Sequence, residues 1–405
     1  MAFWVRPLPE REAAFSLLRQ YRPVPFYPEP DLGWLEPGPG YYALTRHEDI
    51  VEASRQPEVF SSAKGATSVA DTPEDFLEFF GSMINLDDPR HARLRRIVSQ
   101  GFTPRMIKKL EDDVQRAAAL LVDDVIDRGE CDFVTEIAAR LPLKIICDMM
   151  GVPERDYDFV FDRSNVILGS QDPEYIPEGG DVPTVLLTAG AELSEMVQEL
   201  ARHRVANPTD DLTSALVNAN IDGEQLTTQE LGSFFVLLVV AGNETTRNAI
   251  SHGLWLLTQH PDQRDLWASD FEAYAPTAVE EIVRVASPVI WMRRTLTRDH
   301  ELNGHRFAEG DKVLLMYWSA NRDETIFDDP YTFDITRSPN PHVGFGGPGP
   351  HYCLGAHLAR REITVMFREL LRRVPDIHAS GEPSRLQSTF INGIKHLPCT
   401  FTGKR

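Results

Sequence analysis

Apolar residues recur at helical spacing over 105–128, 133–150, 184–207 and 228–259, and these four stretches predict helices. The last opens on Thr227-x-x-Glu230, a capping box, and runs to Gln259 ahead of Pro261. At 1.5 Å per residue it is roughly 50 Å long. Its first half, Phe234 to Val240, is apolar on every face and so reads as buried. Ala241-Gly242-Asn243-Glu244-Thr245-Thr246 then breaks the pattern. Burying an acid and several polar groups is costly without a purpose. Gly lets a flat ligand approach, and Thr can bond back to a helix carbonyl and bend the helix. The plain alternative is a polar kink satisfied by local hydrogen bonds.

Elsewhere the pattern is shorter. Tyr41 to Thr45 predicts a strand and His47 to Gln56 a short helix. Residues 61–82 are polar and broken, which suggests a surface loop or a lid. Asp88 can cap a helix with Pro89 at its first position. His91 and Arg95, four apart, then share a face and suit a pair of carboxylates; a solvated basic face is the alternative. The helix ending at Met150 stops at Gly151 and Pro153, and Gly, Pro and acids over 169–183 read as a loop. Ala278 to Arg284 is helical, with Glu281 and Arg284 able to pair. Residues 289–318 read as strands, with Asn303-Gly304 as a hairpin turn.

One stretch is neither helix nor strand: Phe345-Gly346-Gly347-Pro348-Gly349-Pro350-His351-Tyr352-Cys353-Leu354-Gly355. Gly adds backbone freedom and Pro removes donors. Helical pattern resumes after Cys353 and continues through Phe367. A thiol where a rigid loop meets a helix N-terminus is placed to exist as a thiolate. One thiolate ligand on a loop points to haem iron. A lone cysteine is more often a buried core residue, and the surrounding Phe, Gly and His argue against that here.

The loop resembles the haem-binding signature of the cytochromes P-450, Phe-Gly-x-Gly-x-His-x-Cys-x-Gly. Phe345, Gly349, His351, Cys353 and Gly355 match in kind and order, although Phe345 stands eight residues before Cys353 rather than seven. Ala241-Gly242-x-Glu244-Thr245 resembles the family's oxygen-binding groove. The resemblance implies that Cys353 ligates the iron of haem b and that Glu244 and Thr245 pass protons to the reacting oxygen. It implies that Ala241, Gly242, Phe345 and Gly355 border the cofactor, and that His91, Arg95, Arg294 and His351 bind its propionates. Glu281 and Arg284 match the family's Glu-x-x-Arg. Its third Arg is absent where Thr332 stands, and Arg337 is the candidate replacement. The implied fold is mainly α with a small β region, the cytochrome P-450 fold, as a single domain over 1–405. Its β-rich parts should lie near 41–65 and 289–400, with a helical core over 87–285 and 354–373.

Composition narrows the setting. The chain has 405 residues and a net charge of −20, which argues against bulk binding of nucleic acid. Residues 90–109 invert that charge, with seven Arg or Lys and no acid, and suit docking of an acidic electron donor. Cys131, Cys147, Cys353 and Cys399 are scattered and suggest neither a zinc site nor a disulfide framework. Residues 1–30 hold no signal-peptide pattern, and no apolar run approaches the roughly 20 residues of a membrane span. A cytoplasmic protein is expected. The resemblance implies electrons from NAD(P)H through a ferredoxin reductase and a ferredoxin.

Substrate is the least legible feature. Phe80 to Ile84, Val239 to Asn248, Asn340 to Phe345 and Ile391 to Lys395 resemble a bacterial subgroup. Its members oxidise the terminal carbon of methyl-branched lipids and sterol side chains. Pocket candidates are Met83, Ile84, Val236, Val240, Val289, Ile290, Trp291, Phe390 and Ile391, all apolar. The alternatives are a macrolide or terpenoid hydroxylase and, from another class, a haem-based sensor. A sensor would not need the Glu244–Thr245 pair and would need an output domain.

Overall fold

The computed structural model describes residues 2–31, 35–80, 82–102, 104–176, 179–218 and 224–403. Gly81, one residue of the subgroup pattern, lies outside them. The chain forms two compact units. The first comprises Met1–Arg96, Val289–Thr332 and Pro341–Leu354; the second comprises Ile97–Pro288, Phe333–Asn340 and Gly355–Arg405.

The first unit is built on a five-stranded sheet, in the order Phe26–Tyr27, Tyr41–Leu44, Lys312–Leu315, Met292–Leu296, Phe60–Ser61. Tyr42 pairs with Val313 in parallel, and Arg294 faces Val313 from the antiparallel side. Leu44, Val313 and Leu315 are buried in its centre. Strands His300–Leu302 and His305–Phe307 form the expected hairpin. Its turn residues Asn303 and Gly304 have φ of 48° and 82°, the left-handed pair that a two-residue hairpin demands.

Two expectations need correction here. Residues 61–82 are not all loop, because Glu74–Phe79 is helical. Residues 289–318 do not end as strand, because Tyr317–Ala320 is a helical turn. A short apolar run such as Met316-Tyr317-Trp318 does not reveal its periodicity. Packing decides it: Trp318 is fully buried, with the Arg322 guanidinium 4.1 Å from its ring centroid.

The second unit is helical. Helix Thr228–Gln259 packs against Arg140–Met150, Tyr157–Leu168, Val182–Ala206, Phe271–Ala286 and Ala356–Arg373. Its predicted cap is present: Glu230 N donates to Thr227 Oγ1 at 3.1 Å, and Thr227 N donates to Glu230 Oε2 at 2.8 Å. The predicted helix over 133–150 is instead two pieces, a π-helical turn Val134–Ala138 followed by Arg140–Met150. Pro142 explains the break, since it has no N–H for the carbonyl of Ala138 four residues back. The helix stops at Gly151, whose φ of 75° closes a left-handed C-terminal cap.

Strands Glu130–Asp132, Pro398–Thr400 and His378–Ala379 form a three-stranded sheet in that order. Among the described residues, no helix is long and apolar enough to cross a membrane.

Candidate functional site

The Cys353 loop belongs to the first unit. Cys353 N donates to the carbonyl of Phe345 at 2.9 Å, and Gly346 N donates to that of Val343 at 2.9 Å. The loop thus closes on its own backbone, and Cys353 sits exposed at its end. Gly349 has a φ of 153°, and a Cβ there would lie 2.2 Å from the backbone oxygen of Ser54. No rotamer relieves such a clash, so the glycine is sterically required. As predicted, a helix, Ala356–Arg373, begins directly after this loop.

Four basic side chains of the same unit gather by the loop. The rings of His91 and His351 stand 4.3 Å apart, centroid to centroid. Arg95 Nη2 donates to the carbonyl of Tyr352 at 2.6 Å. Arg294 is 6% exposed and donates from Nη1 to the carbonyl of Arg293 at 2.7 Å. His91 Nδ1 lies 3.2 Å from Asp88 Oδ1, whereas its Nε2 is buried without a partner among the described residues. Burial, then the charges of Arg294, His91 and Arg95, hold the His351 imidazole down to about 3.

Neither Arg95 nor Arg294 forms an ion pair among the described residues. Buried cations are normally paired. Two guanidinium groups, an orphaned imidazole nitrogen and a nearby exposed thiol fit an anionic metal cofactor carrying two carboxylates. Haem is such a group, so the residues present fit the cofactor implied by the sequence.

The polar turn of the long helix belongs to the second unit. Thr245 Oγ1 donates to the Ala241 carbonyl at 2.7 Å, the expected back-bond. Glu244 is 1% exposed, and its Oε2 accepts from Arg247 Nη2 one turn on. Arg247 Nη1 also donates to Asn165 Oδ1 at 2.8 Å. Burial pushes the Glu244 carboxyl above the usual range, while Arg247 and Asn248 pull it back down. The structure gives Gly242 a packing reason: a Cβ there would lie 2.8 Å from Ile146 Cδ1. Pattern reading missed Arg247 and Asn165. Arg247 is one turn from Glu244 and could have been found as an i,i+3 partner; Asn165 lies on a helix the pattern did not reveal.

Glu281 is the hub of a buried network in this unit. It accepts from Arg284 Nε at 2.8 Å and Nη2 at 2.7 Å. Asp334 N and Asn340 Nδ2 each reach it at 3.0 Å. Arg337 Nε stands 3.2 Å from Oε2, so the candidate replacement for the missing arginine does meet the same carboxylate.

The pocket candidates divide between the units. In the first, Met83, Ile290 and Trp291 are buried, whereas Ile84 and Val289 are half-buried. In the second, Val236 and Ile391 are buried, whereas Val240 and Phe390 are half-buried.

Comparison with known proteins adds identity to this geometry. The family model described as Cytochrome P450 matches residues 273–379. A Mycobacterium bovis protein named methyl-branched lipid omega-hydroxylase is 52% identical over 403 residues, covering 99% of this chain and 93% of the relative. A steroid C26-monooxygenase of Mycolicibacterium smegmatis is 43% identical, covering 90% of this chain and 84% of the relative. The solved structure of a Mycobacterium marinum cytochrome P450 in complex with pseudoionone superposes with a TM-score of 0.93 at 43% identity, covering 99% and 97% of the two chains.

Proposed function

The chain belongs to the cytochrome P450 family and is a haem-dependent monooxygenase, and from that premise we propose that it hydroxylates the terminal carbon of a methyl-branched lipid or a sterol side chain. The observation that carries this reading is the near full-length identity to the methyl-branched lipid omega-hydroxylase. Haem, when bound, supplies the oxygen chemistry, in which one atom of O2 enters a C–H bond and the other leaves as water. Cys353 would hold the iron as thiolate from a loop closed by its own N–H. His91, Arg95, Arg294 and His351 would meet the two propionates, which would give the buried Arg294 guanidinium an anionic partner. Ala241, Gly242, Phe345 and Gly355 would border the ring.

Thr245 and Glu244 would handle protons. The Thr245 hydroxyl, now turned to the Ala241 carbonyl, can rotate to donate elsewhere. Glu244, held by Arg247, is the acid behind it. The apolar candidates Met83, Ile84, Val240, Val289, Ile290, Trp291, Phe390 and Ile391 would receive the lipid. Terminal methyl C–H bonds are stronger than internal ones, so a terminal product requires the protein to hold the chain end at the reacting centre. Positioning of this kind can outweigh intrinsic reactivity.

Electrons would come from NAD(P)H through a ferredoxin reductase and a ferredoxin, docking on the basic stretch within residues 90–109. In this reading the whole of 1–405 acts as one functional domain in the cytoplasm, where NAD(P)H is available. A terpenoid hydroxylase is the second reading, favoured by the likeness to the pseudoionone complex. Titration of the haem-loaded protein with branched lipids, sterols, terpenoids and macrolides tests the choice. A blue shift of the Soret band at the lowest concentration for branched lipids or sterols supports the first reading. Tightest binding of terpenoids or macrolides overturns it.

A further inference from the structure

Asn243 is fully buried, and neither its amide nitrogen nor its amide oxygen has a hydrogen-bond partner among the described residues. The same is true of Glu244 Oε1, Arg247 Nε and Asn248 Nδ2, the last one turn above Glu244. Five orphaned polar atoms on four residues are unusual, because buried polar groups are otherwise nearly always satisfied. Their placement is not random. Positions 243, 244 and 247 are mutual neighbours on a helix surface, since 247 lies one turn above both. At 3.6 residues per turn, Asn243 stands roughly opposite Thr245 on the helix circumference. Ala241, Gly242 and Thr245, on Thr245's side, are half-buried, whereas Asn243 and Glu244 are fully buried. The orphaned atoms include donors, in Asn243 Nδ2 and Arg247 Nε, and acceptors, in Asn243 Oδ1 and Glu244 Oε1. A buried water typically satisfies two to four such groups at once, and each site of this kind is polar on several sides.

We propose that Asn243 holds a buried water beside Glu244, and that Oε1 of Glu244 takes its protons from this water. Protons then reach Glu244 from the side of the helix remote from Thr245. The step balances without electrons: the water gives a proton to Oε1 and regains one from the next water outward. Glu244 passes its own proton toward the Thr245 side. Arg247, tethered to Asn165, holds Oε2 so that Oε1 stays turned to the water. Asn243 is therefore a positioning residue. The proposal rests on the reading of Glu244 and Thr245 as the proton-handling pair.

The test uses haem-loaded Asn243→Leu and Asn243→Ser proteins with Glu244→Gln as reference, an iso-branched fatty acid as substrate, and a bacterial ferredoxin with its reductase. Coupled turnover should fall in Asn243→Leu by roughly tenfold, less than the roughly 100-fold or more of a group that itself transfers the proton. The serine hydroxyl can hold a water and should restore part of it. The substrate-induced Soret shift should not change. Turnover driven by added hydrogen peroxide, which brings its own oxygen and protons, should also be retained. A crystal structure should show an ordered water within hydrogen-bond reach of the Asn243 amide. Unchanged coupling in Asn243→Leu overturns the proposal, as does a parallel loss of peroxide-driven turnover, which would mark a structural role. A dry site in the crystal also overturns it. Loss of coupling in Glu244→Gln alone removes only the water; no loss in either variant removes the underlying acid–alcohol reading.

Discussion

Cys353 N donates to the carbonyl of Phe345 at 2.9 Å, so the seven residues between them are bridged by a backbone hydrogen bond. Within the loop the chain turns at glycines, with φ of 90° at Gly346 and 153° at Gly349. Gly349→Ala should therefore disturb the loop directly. The added Cβ meets a backbone oxygen, and the residue is held in a region that L side chains rarely adopt. A cost of about 1–3 kcal/mol is expected. Thermal midpoint and haem content should both fall; wild-type values for both would contradict the steric account.

The Glu281 network allows a graded test. Glu281→Ala removes the shared acceptor of Arg284, Arg337 and Asn340 and takes the carboxylate away from a fully buried guanidinium. Breaking a buried pair in this way costs about 3–5 kcal/mol. Arg337→Ala leaves Glu281 its other donors, so the loss should be smaller, about 1–2 kcal/mol. Denaturant midpoints give the order. Equal losses would mean that Arg337 carries the network, which its secondary position does not support.

Protonation of His351 provides a pH test. Its folded-state pKa is lowered, by burial and by the surrounding cations. The unfolded chain takes up that proton near 6.5, whereas the folded, haem-free chain resists it until about 3. Stability of the haem-free protein should thus fall as pH drops below about 6.5, by ~1 kcal/mol at one unit lower after solvent screening. Haem propionates would attract the proton and weaken this dependence. Urea melts at two pH values, with and without haem, measure it. An identical pH slope in both forms would contradict the placement of the propionates.

Legibility followed distance along the chain. The cysteine loop and the Glu244–Thr245 turn were readable because each is local. The capping box at Thr227 was readable for the same reason. Asn165 was not, because its role depends on which helix packs against the long one. Arg337 could be named only as a candidate, since its meeting with Glu281 spans 56 residues. The contact of Cys131 Sγ with Cys399 Sγ, 3.4 Å across an antiparallel pair, depends on strand register and carries no local signal. Helix Glu74–Phe79 was hidden because six residues are too few to show a period.

Thr245→Ala should leave haem content and the substrate-induced spectral shift intact, because among the described residues the hydroxyl bonds within its own helix. Electrons should instead escape to hydrogen peroxide. The ratio of peroxide formed to NAD(P)H consumed measures this. A wild-type ratio in the variant would mean that protons do not pass through Thr245.

Product regiochemistry tests the central claim most directly. Matched iso-branched and linear fatty acids are turned over by the reconstituted enzyme, and the alcohols are located by mass spectrometry. One methyl group is worth about 1–3 kcal/mol of discrimination in an apolar site, so the preference should be graded rather than absolute. The account predicts mainly terminal alcohols, formed faster from the branched chain. Mainly in-chain alcohols, or faster turnover of the linear chain, would contradict it.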